Sequence, residues 1–280
     1  TNASHVPLGI AAMQAGLPVV IDKPIAASVQ DAERLLETSN KTGVLLTVFQ
    51  NRRWDNDFLT IRKLLANNAL GPITRFESRF ERYRAEARPG AWREDASPDA
   101  AGGLLYDIGS HLIDQALVLF GKPTHVYAEM AQRRPHARVD DDTFVALHFA
   151  NGIIAHLWMS LVARIPAQRI RISGLNGTYE KWGLDPQEAA LRAGGRPGDA
   201  NWGRESREHW GRLATITSQG EASDEQIESE TGAYESYYTL LRDALINGAP
   251  PPVDAASTID VLRIIHAAQH SAQKRTITAL

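Results

Sequence analysis

The sequence predicts an α/β protein in which part of a doubly wound parallel sheet precedes an α+β domain with a large, mainly antiparallel sheet. Over residues 1–50, helical segments alternate with short, continuously apolar runs, the pattern of a parallel sheet covered on both faces. From residue 71 onward, strand-like runs follow one another with turn signals between them, which indicates antiparallel pairing. We therefore divide the chain into residues 1–50 and residues 51–280.

The first part shows two helix signals and two strand signals. The apolar runs 17–21 and 44–49 predict strands buried on both faces. A helix before them is predicted to end at Gly16, since glycine is the usual residue after a helix C-terminus. Ser28 and Asp31 form a capping-box-like start for a second helix between the strands.

The second part contains hairpin-linked strands and two helices. Asn151-Gly152 is a strong hairpin signal. Helices are predicted over residues 104–120 and 255–273. Residues 186–223 are rich in Gly, Arg, Glu and Trp without clear periodicity, which predicts an irregular segment. The predicted strands are residues 73–83, 126–130, 143–149, 153–159 and 170–173.

Composition narrows the classes of function. With 43% hydrophobic residues, the 280-residue chain can bury a proper core. Its net charge of -3 argues against nucleic acid or an anionic membrane as the main partner. The longest apolar stretch, residues 152–163, is too short to cross a bilayer. No cysteine is present, which excludes disulfides and thiolate chemistry and is compatible with the cytoplasmic location that we expect.

The most informative motif is Gly-Gly-Leu-Leu-Tyr-Asp-Ile-Gly-Ser-His, which begins at Gly102. Asp107 and His111 are four residues apart and share one face of the predicted helix. A histidine can accept the proton of an alcohol near neutral pH, and a carboxylate beside it can hold the ring. Gly109 inside the helix costs about 1 kcal/mol, which indicates close approach of a flat ligand. Taken alone, such a pair is more often a packed or surface histidine with an ion-pair partner.

A second candidate follows the first predicted strand. The run Val-Ile-Asp-Lys-Pro ends at Pro24, and loops at the carboxyl ends of parallel strands are where such sheets bind ligands. Lys23 in this loop could hydrogen-bond a substrate hydroxyl and lower its pKa. A lone lysine in a turn is more commonly solvated, so both interpretations stay open.

Weaker candidates lie at other predicted element ends. Backbone N–H groups and a capping asparagine at a helix start can face a ligand, and the other groups offer donors and aromatic rings. Each could equally be an interdomain contact. These residues are Asn2 and His5 near the amino end, Asn51 and Arg52 after the second strand, and Trp92 and Arg93 before the glycine pair.

In combination, the motifs resemble the Gfo/Idh/MocA family of oxidoreductases. Thr-Asn-x-x-His, Asp-Lys-Pro (where Glu-Lys-Pro is more usual), Asn-Arg-Arg, Trp-Arg and Gly-Gly-x-Leu-x-Asp-x-Gly-x-His follow in that family's order. The resemblance covers essentially the whole chain and is most specific through residue 121. Asp-Lys-Pro followed by Phe-Gln-Asn-Arg-Arg-Trp-Asp is most similar to the branch that contains scyllo-inositol dehydrogenases.

The resemblance implies a Rossmann-type dinucleotide-binding remnant over residues 1–50. It implies a substrate-binding, catalytic and oligomerisation domain over residues 51–280, with copies associating as a homodimer or homotetramer through the large sheet. The implied cofactor is NAD or NADP, and the implied substrate is a small polyol or sugar. Lys23, Asp107 and His111 would form the catalytic group, with His111 as general acid/base. The implied cofactor-binding residues are Asn2, His5, Asp22, Lys23, Pro24, Asn51, Arg52, Trp92 and Arg93.

The family's phosphate-binding Gly-x-Gly-x-x-Gly loop does not occur in this sequence. Gly174 and Gly177 lie between predicted strands of the second part and are no substitute. We expect that the first two βα units of the fold, about seventy to eighty residues, precede the sequence given. The chain as given should then bind dinucleotide poorly, and the sequence does not distinguish NAD from NADP.

Two other clusters are interpreted as structural. His266 and His270 have metal-ligand spacing but lack the glutamate of a zinc motif. Ile259 and Leu262 share their helical face, which favours a core or interface stripe, so no metal is expected. The acidic run 140–142 has no calcium-loop spacing around it and predicts a solvated strand start.

Two alternatives to a polyol or sugar dehydrogenase stay open. Some relatives are glycoside hydrolases that use bound NAD for transient oxidation, and others could be non-catalytic ligand-binding proteins that keep the fold. The joint presence of Lys23, Asp107 and His111 argues against the second alternative.

Overall fold

A computed structural model describes residues 2–87, 94, 101–217 and 219–280. Its first part is a two-stranded parallel sheet with two helices. The predicted cap is present, because Ser28 Oγ accepts a hydrogen bond from the Asp31 amide at 3.1 Å. Gly16 follows the first helix with a φ of 78°. The elements are α1 (Asn2–Gln14), β1 (Val19–Asp22), α2 (Val29–Thr42) and β2 (Leu46–Phe49).

The prediction that the first strand is buried on both faces is wrong. Val20 is 45% exposed, whereas Ile21 is 4% exposed. A Cβ atom at Gly9 in α1 would lie 3.4 Å from Ile21 Cδ1, so α1 covers the Ile21 face. The opposite face of β1 meets solvent. In β2, by contrast, Leu46, Thr47 and Val48 are all buried, as predicted.

The second part is a nine-stranded mixed sheet in the order β10-β9-β8-β7-β3-β6-β5-β4-β11. Its pairings are antiparallel except for β3 with β6, which confirms the predicted mainly antiparallel sheet. The hairpin turn between β5 and β6 contains Gly152 at a φ of 85°. The strands are β3 (Ile73–Glu81), β4 (Pro123–Ala131), β5 (Asp142–Phe149), β6 (Ile154–Ser160), β7 (Ile170–Gly174), β8 (Gly177–Lys181), β9 (Gly211–Ile216), β10 (Ala222–Ile227) and β11 (Thr278–Ala279).

Helices cover one face of this sheet and connect it to the small sheet. The last helix packs on β4, on the helix that carries His111, and on β2. Thr47 in β2 donates a hydrogen bond to the Val253 carbonyl at 2.8 Å, and both residues are fully buried. The helices of the second part are α3 (Asn56–Ala66), α4 (Ser110–Phe120), α5 (Gln187–Arg192), α6 (Glu235–Asn247) and α7 (Ala255–Lys274).

The helix predicted over residues 104–120 is interrupted at its start. A π-helical turn, Leu105–Gly109, leads directly into α4. A Cβ atom at Gly109 would lie 2.8 Å from Leu105 Cδ1 and 2.9 Å from Met159 Sδ. A glycine is therefore needed here because the turn packs closely against β6. The prediction that Gly109 makes room for a flat ligand is wrong.

The prediction that residues 186–223 are irregular is also wrong. The segment contains α5, β9 and the start of β10. β10 is exposed along nearly its whole length. An edge strand of this kind has no apolar face, so it lacks the period-two pattern by which strands are predicted.

His266 and His270 occupy α7 beside a buried stripe that includes Ile259 and Leu262. The His266 ring meets the Tyr106 ring edge-on at 6.3 Å between centroids. In the part of the chain that the structure describes, no cluster of three or more His, Asp or Glu side chains could hold a metal ion. No described helix combines the length and the apolar character needed to cross a bilayer.

Candidate active site

One cleft of about 520 Å³ opens where the carboxyl ends of β1, β2 and β3 meet the turn before α4. Of the residues predicted for the site, the cleft is lined by Lys23, Asn51, Arg52, Asp107 and His111. Both parts of the molecule contribute to it, because Lys23 follows β1 whereas Asp107 and His111 belong to the turn and helix that pack on the large sheet.

Lys23 is fixed in the cleft by the turn before α4. Its Nζ lies 2.8 Å from Asp107 Oδ1 and also donates to the Asp107 main-chain carbonyl. The lysine side chain is 10% exposed and the Asp107 side chain 33% exposed. The alternative of a solvated turn lysine is therefore wrong.

The loop after β1 is braced from both sides. Asp22 Oδ1 accepts a hydrogen bond from the Lys23 amide at 2.9 Å. His5 Nδ1 lies 3.0 Å from the carbonyl oxygen of Pro24, and the Lys23–Pro24 peptide is cis. Asp22, His5 and Pro24 thus contact the loop that carries Lys23 and do not themselves line the cleft.

The His111 ring is buried and its proton is placed by Gln50. Nδ1 lies 3.0 Å from Gln50 Oε1, an oxygen that can only accept, so Nδ1 carries the hydrogen. In the neutral ring, Nε2 is then free to accept a proton. Burial, together with the charges of Lys23 and Arg52, holds the pKa of His111 well below its ordinary value. The expected ring-holding carboxylate is replaced in this role by the Gln50 amide.

Arg52 connects the cleft to a buried polar network. It pairs with Glu188 at 2.7 Å and with the buried Asp55 at 3.4 Å. Behind it, Arg169 Nε lies 3.1 Å from Asp57 Oδ2 in an ion pair that lacks hydrogen-bond geometry. Burial raises the pKa of Asp55 to about 8, in spite of Arg52. This network holds the Arg52 guanidinium in place at the cleft wall.

The acidic run 140–142 is not a solvated strand start, contrary to the prediction. Asp141 is fully buried and accepts from Arg134 Nε at 2.9 Å. Asp140 lines the cleft and accepts from the Leu105 amide at 2.8 Å. Burial raises the pKa of Asp140 to about 6. The run fixes the loop before β5 and the start of the π-helical turn.

Sequence comparison assigns both parts of the chain to one family. Residues 1–50 match the model "Oxidoreductase family, NAD-binding Rossmann fold", and residues 62–280 match "Oxidoreductase family, C-terminal alpha/beta domain". The chain belongs to the Gfo/Idh/MocA family of oxidoreductases. It is accordingly a nicotinamide-dependent oxidoreductase whose cofactor is NAD or NADP.

Individual relatives extend the likeness along the whole chain. It is 40% identical to scyllo-inositol 2-dehydrogenase (NADP(+)) IolW of Bacillus subtilis strain 168, over 98% of this chain and 75% of that protein. It is 38% identical to the uncharacterized oxidoreductase YdgJ of Escherichia coli K12, over 100% of this chain and 79% of that protein. The fold is similar to that of yvaA from Bacillus subtilis, with a TM-score of 0.94 and 38% identity over 99% of this chain and 77% of that one. The resemblance to the family inferred from the motifs is confirmed.

The cleft fits the nicotinamide half of the family's cofactor. At the carboxyl ends of β1 and β2, Lys23 and Asn51 present an ammonium and an amide to the cleft. Such donors suit the hydroxyls and carboxamide of a nicotinamide riboside, and this edge of a parallel sheet is where Rossmann folds bind ligands. Lys23 and Asn51 are the residues that would hold this half of the cofactor.

Other predicted cofactor-binding residues of this oxidoreductase lie elsewhere. Asn2 lies within α1 and is 5% exposed, and its Nδ2 donates to the Ala101 carbonyl at 3.4 Å. Asn2 thus connects α1 to the segment before the glycine pair. It was predicted instead to cap the start of a helix and face a ligand. Trp92 and Arg93 lie outside the described residues.

Several residues of the cleft were missed by sequence reasoning. Arg82 and Arg84 follow β3 with period-two spacing, the one local signal that could have shown them to share a wall. Glu188 and Arg192 belong to α5, which lies in the segment predicted to be irregular. The missed residues also include Phe80, Glu94, Arg134 and Asp140, and Gln50 behind His111.

Proposed function

We propose that this protein is an NAD(P)-dependent dehydrogenase that oxidises a hydroxyl group of a small polyol or sugar, with inositol-like rings as the model substrates. The observation that carries the proposal is the convergence of the Lys23–Asp107 ion pair and the His111 ring on one cleft. The relative IolW, a scyllo-inositol 2-dehydrogenase, supports the substrate class.

His111 acts as the general base of the proposed reaction. Its Nε2 receives the hydroxyl proton while the carbinol carbon becomes a carbonyl. NAD+ or NADP+, when bound, would supply the acceptor for the hydride that leaves that carbon. The low pKa of His111 keeps the ring neutral at neutral pH, so the base form is available for oxidation. In the reverse direction the same ring returns the proton.

Lys23 positions the reacting hydroxyl. Its ammonium is held by two oxygen atoms of Asp107, and an ammonium has three donors. Lys23 lines the cleft, where its positive charge would stabilise the developing alkoxide of the substrate. Asp107 offsets the charge of Lys23 and fixes its direction.

The two parts of the chain are proposed to have different roles. We propose that residues 1–50 belong to the dinucleotide-binding domain and that residues 51–280 bind substrate and associate with other copies as a homodimer or homotetramer. A groove of about 650 Å³ on the large sheet, lined among others by Tyr127, Phe144 and Trp158, supports this surface as the interface. Light scattering of the wild type and a Trp158→Arg variant measures the oligomeric state.

A substrate panel tests the activity. The full-length gene product is incubated with NAD+ or NADP+ and with inositols, aldoses and glycosides, and the nicotinamide absorbance is followed. Steady reduction of the cofactor by a polyol or sugar supports the proposal. Release of an aglycone without net cofactor reduction would instead identify an NAD-using glycoside hydrolase.

A further inference from the structure

Cationic side chains dominate the walls of the cleft. Most of them have a carboxylate partner within the described residues. The pairs are Arg52 with Glu188 at 2.7 Å, Arg84 with Glu94 at 3.7 Å, Arg134 with Glu94 at 3.3 Å, and Arg192 with Glu188. Each of these guanidinium groups therefore already contacts a carboxylate of the protein, with Glu188 and Glu94 each shared by two arginines.

Arg82 differs from its neighbours. It lines the same cleft, yet among the described residues no Asp or Glu oxygen lies within 4.0 Å of its side-chain nitrogens. Its backbone is fixed, because its amide donates to the Ser160 carbonyl at 2.8 Å and its carbonyl accepts from Ala163 at 3.1 Å. Its guanidinium carbon lies 5.6 Å from the centre of the Phe80 ring. Within the described residues, the structure thus holds a cationic head group on a rigid base without a carboxylate in ion-pair contact.

A half-buried guanidinium without a partner is energetically unfavourable, because it loses hydration without gaining an ion pair. Burial and the nearby Arg52 and Arg84 charges lower the pKa of Arg82, although Glu188 acts in the opposite direction. An anion that enters the cleft would relieve this repulsion. The planar guanidinium fork matches a carboxylate or a phosphate in two parallel hydrogen bonds.

We propose that the substrate is a polyol or sugar that carries an anionic group, a carboxylate or a phosphate, and that Arg82 binds this group. The inference rests on the proposed function for the position of the reacting hydroxyl, which lies at Lys23 and His111. Arg82 follows β3 of the large sheet, whereas Lys23 follows β1. The anionic group and the reacting hydroxyl are therefore held by different elements of one cleft, which selects both the charge and the orientation of the substrate.

Binding and turnover are measured with three probes: myo-inositol, D-gluconate and D-glucose 6-phosphate. Isothermal titration without cofactor gives binding, and nicotinamide absorbance with the full-length gene product gives KM values. Arg82→Ala should weaken the preferred anion by about 10- to 100-fold, the usual effect of removing a charged hydrogen-bond partner. Arg82→Lys should recover part of the loss, since a lysine keeps the charge without the fork. The matched control is Arg164→Ala, which removes an exposed arginine that contacts Tyr83 outside the cleft.

The two anionic probes separate the sources of the charge, since preference for gluconate identifies a carboxylate and preference for glucose 6-phosphate a phosphate. The inference is wrong if neither anion binds more tightly than myo-inositol. It is also wrong if Arg82→Ala weakens the neutral probe as much as the anions, or raises the KM of the cofactor instead. Oxidation of myo-inositol by the wild type, with kinetics toward both anions unchanged in Arg82→Ala, would overturn the inference while leaving the proposed dehydrogenase function intact.

Discussion

The two sheets of this oxidoreductase build one cleft but differ in how they are supported. The small sheet presents an apolar residue to solvent, with Val20 of β1 at 45% exposure, and Leu17 just before β1 is 59% exposed. In the large sheet, Phe76, Leu157 and Ile172 are fully buried beneath helices. The large sheet is thus covered by its own helices, whereas one face of β1 in the small sheet stays exposed. Apolar residues of both sheets nevertheless belong to one continuous core.

Several contacts join the two sheets, and two of them involve side chains of β2. Thr47 donates to Val253, and the Phe49 ring meets the Tyr237 ring edge-on at 4.9 Å between centroids. The two reacting sides of the cleft are thus joined by side chains of β2. The Lys23–Asp107 ion pair crosses the same junction, between the loop after β1 and the turn before α4. The following variants separate chemistry, core and junction.

The largest effect is expected on the side of the cleft that belongs to the large sheet. His111→Ala should lower turnover of the full-length enzyme by roughly 10²- to 10⁴-fold, the usual contribution of a general acid/base. Cofactor affinity should change little, since the ring faces the substrate proton. Steady-state kinetics and cofactor titration measure both. Near-normal turnover would mean that Lys23 or a water chain accepts the proton.

The core of the second part should be most sensitive at its buried ion pair. Asp57→Ala leaves Arg169 unpaired at 2% exposure, and the expected loss of unfolding free energy is about 3–5 kcal/mol. Urea denaturation measures it. Asp224→Ala, which breaks an exposed pair with Arg212, should leave the midpoint unchanged. The double variant Asp57→Ala/Arg169→Met should recover part of the lost unfolding free energy, since it no longer leaves a buried arginine without a carboxylate. A double variant as unstable as Asp57→Ala would show that the unpaired charge is not the cause of the loss.

The small-sheet side of the cleft should contribute less to the chemistry. Lys23→Ala should lower kcat/KM by about 10- to 100-fold, the effect expected for one charged hydrogen bond to the substrate oxygen. Lys23→Arg is the matched control, because it keeps the charge near Asp107. A loss as large as that of His111→Ala would show that both sides of the cleft carry proton transfer.

The smallest effect is expected at the junction. Thr47→Val keeps the side-chain shape but removes the donor to the Val253 carbonyl, at a cost of about 1–3 kcal/mol. Hydrogen exchange should therefore accelerate at the amides of β1 and β2 and stay unchanged in β5 and β6. Equal acceleration in both sheets would show that they open together.

Sequence patterns predicted those features that depend on residues close to one another in the sequence. The buried run of β2, the cap at Ser28 and the hairpin at Gly152 are local signals, and the structure confirms them. The motif residues Lys23 and His111 indeed line one cleft, while their catalytic roles stay predictions. The boundary at residue 50 also stays a prediction.

The missed features depend on contacts between distant residues. Gln50 and His111 are 61 residues apart, so no spacing rule pairs them. Asp141 is buried in a turn, where it accepts a hydrogen bond from Arg134. The acidic composition of the run gives no sign of this turn. β10 pairs through its backbone with β9 while its side chains face solvent. Its polar sequence therefore lacks the apolar alternation by which a strand is predicted.

Gly103 limits where this enzyme can change its substrate range. It adopts a φ of 97°, and a Cβ atom there would overlap the Asp140 carboxylate that receives the Leu105 amide. A side chain at this position would both strain the backbone and displace that acceptor. Laboratory evolution should therefore leave the glycine and its acidic neighbour unaltered. New specificities are expected to arise from substitutions at Arg82 and Arg84, whose side chains reach the cleft without supporting the backbone around it.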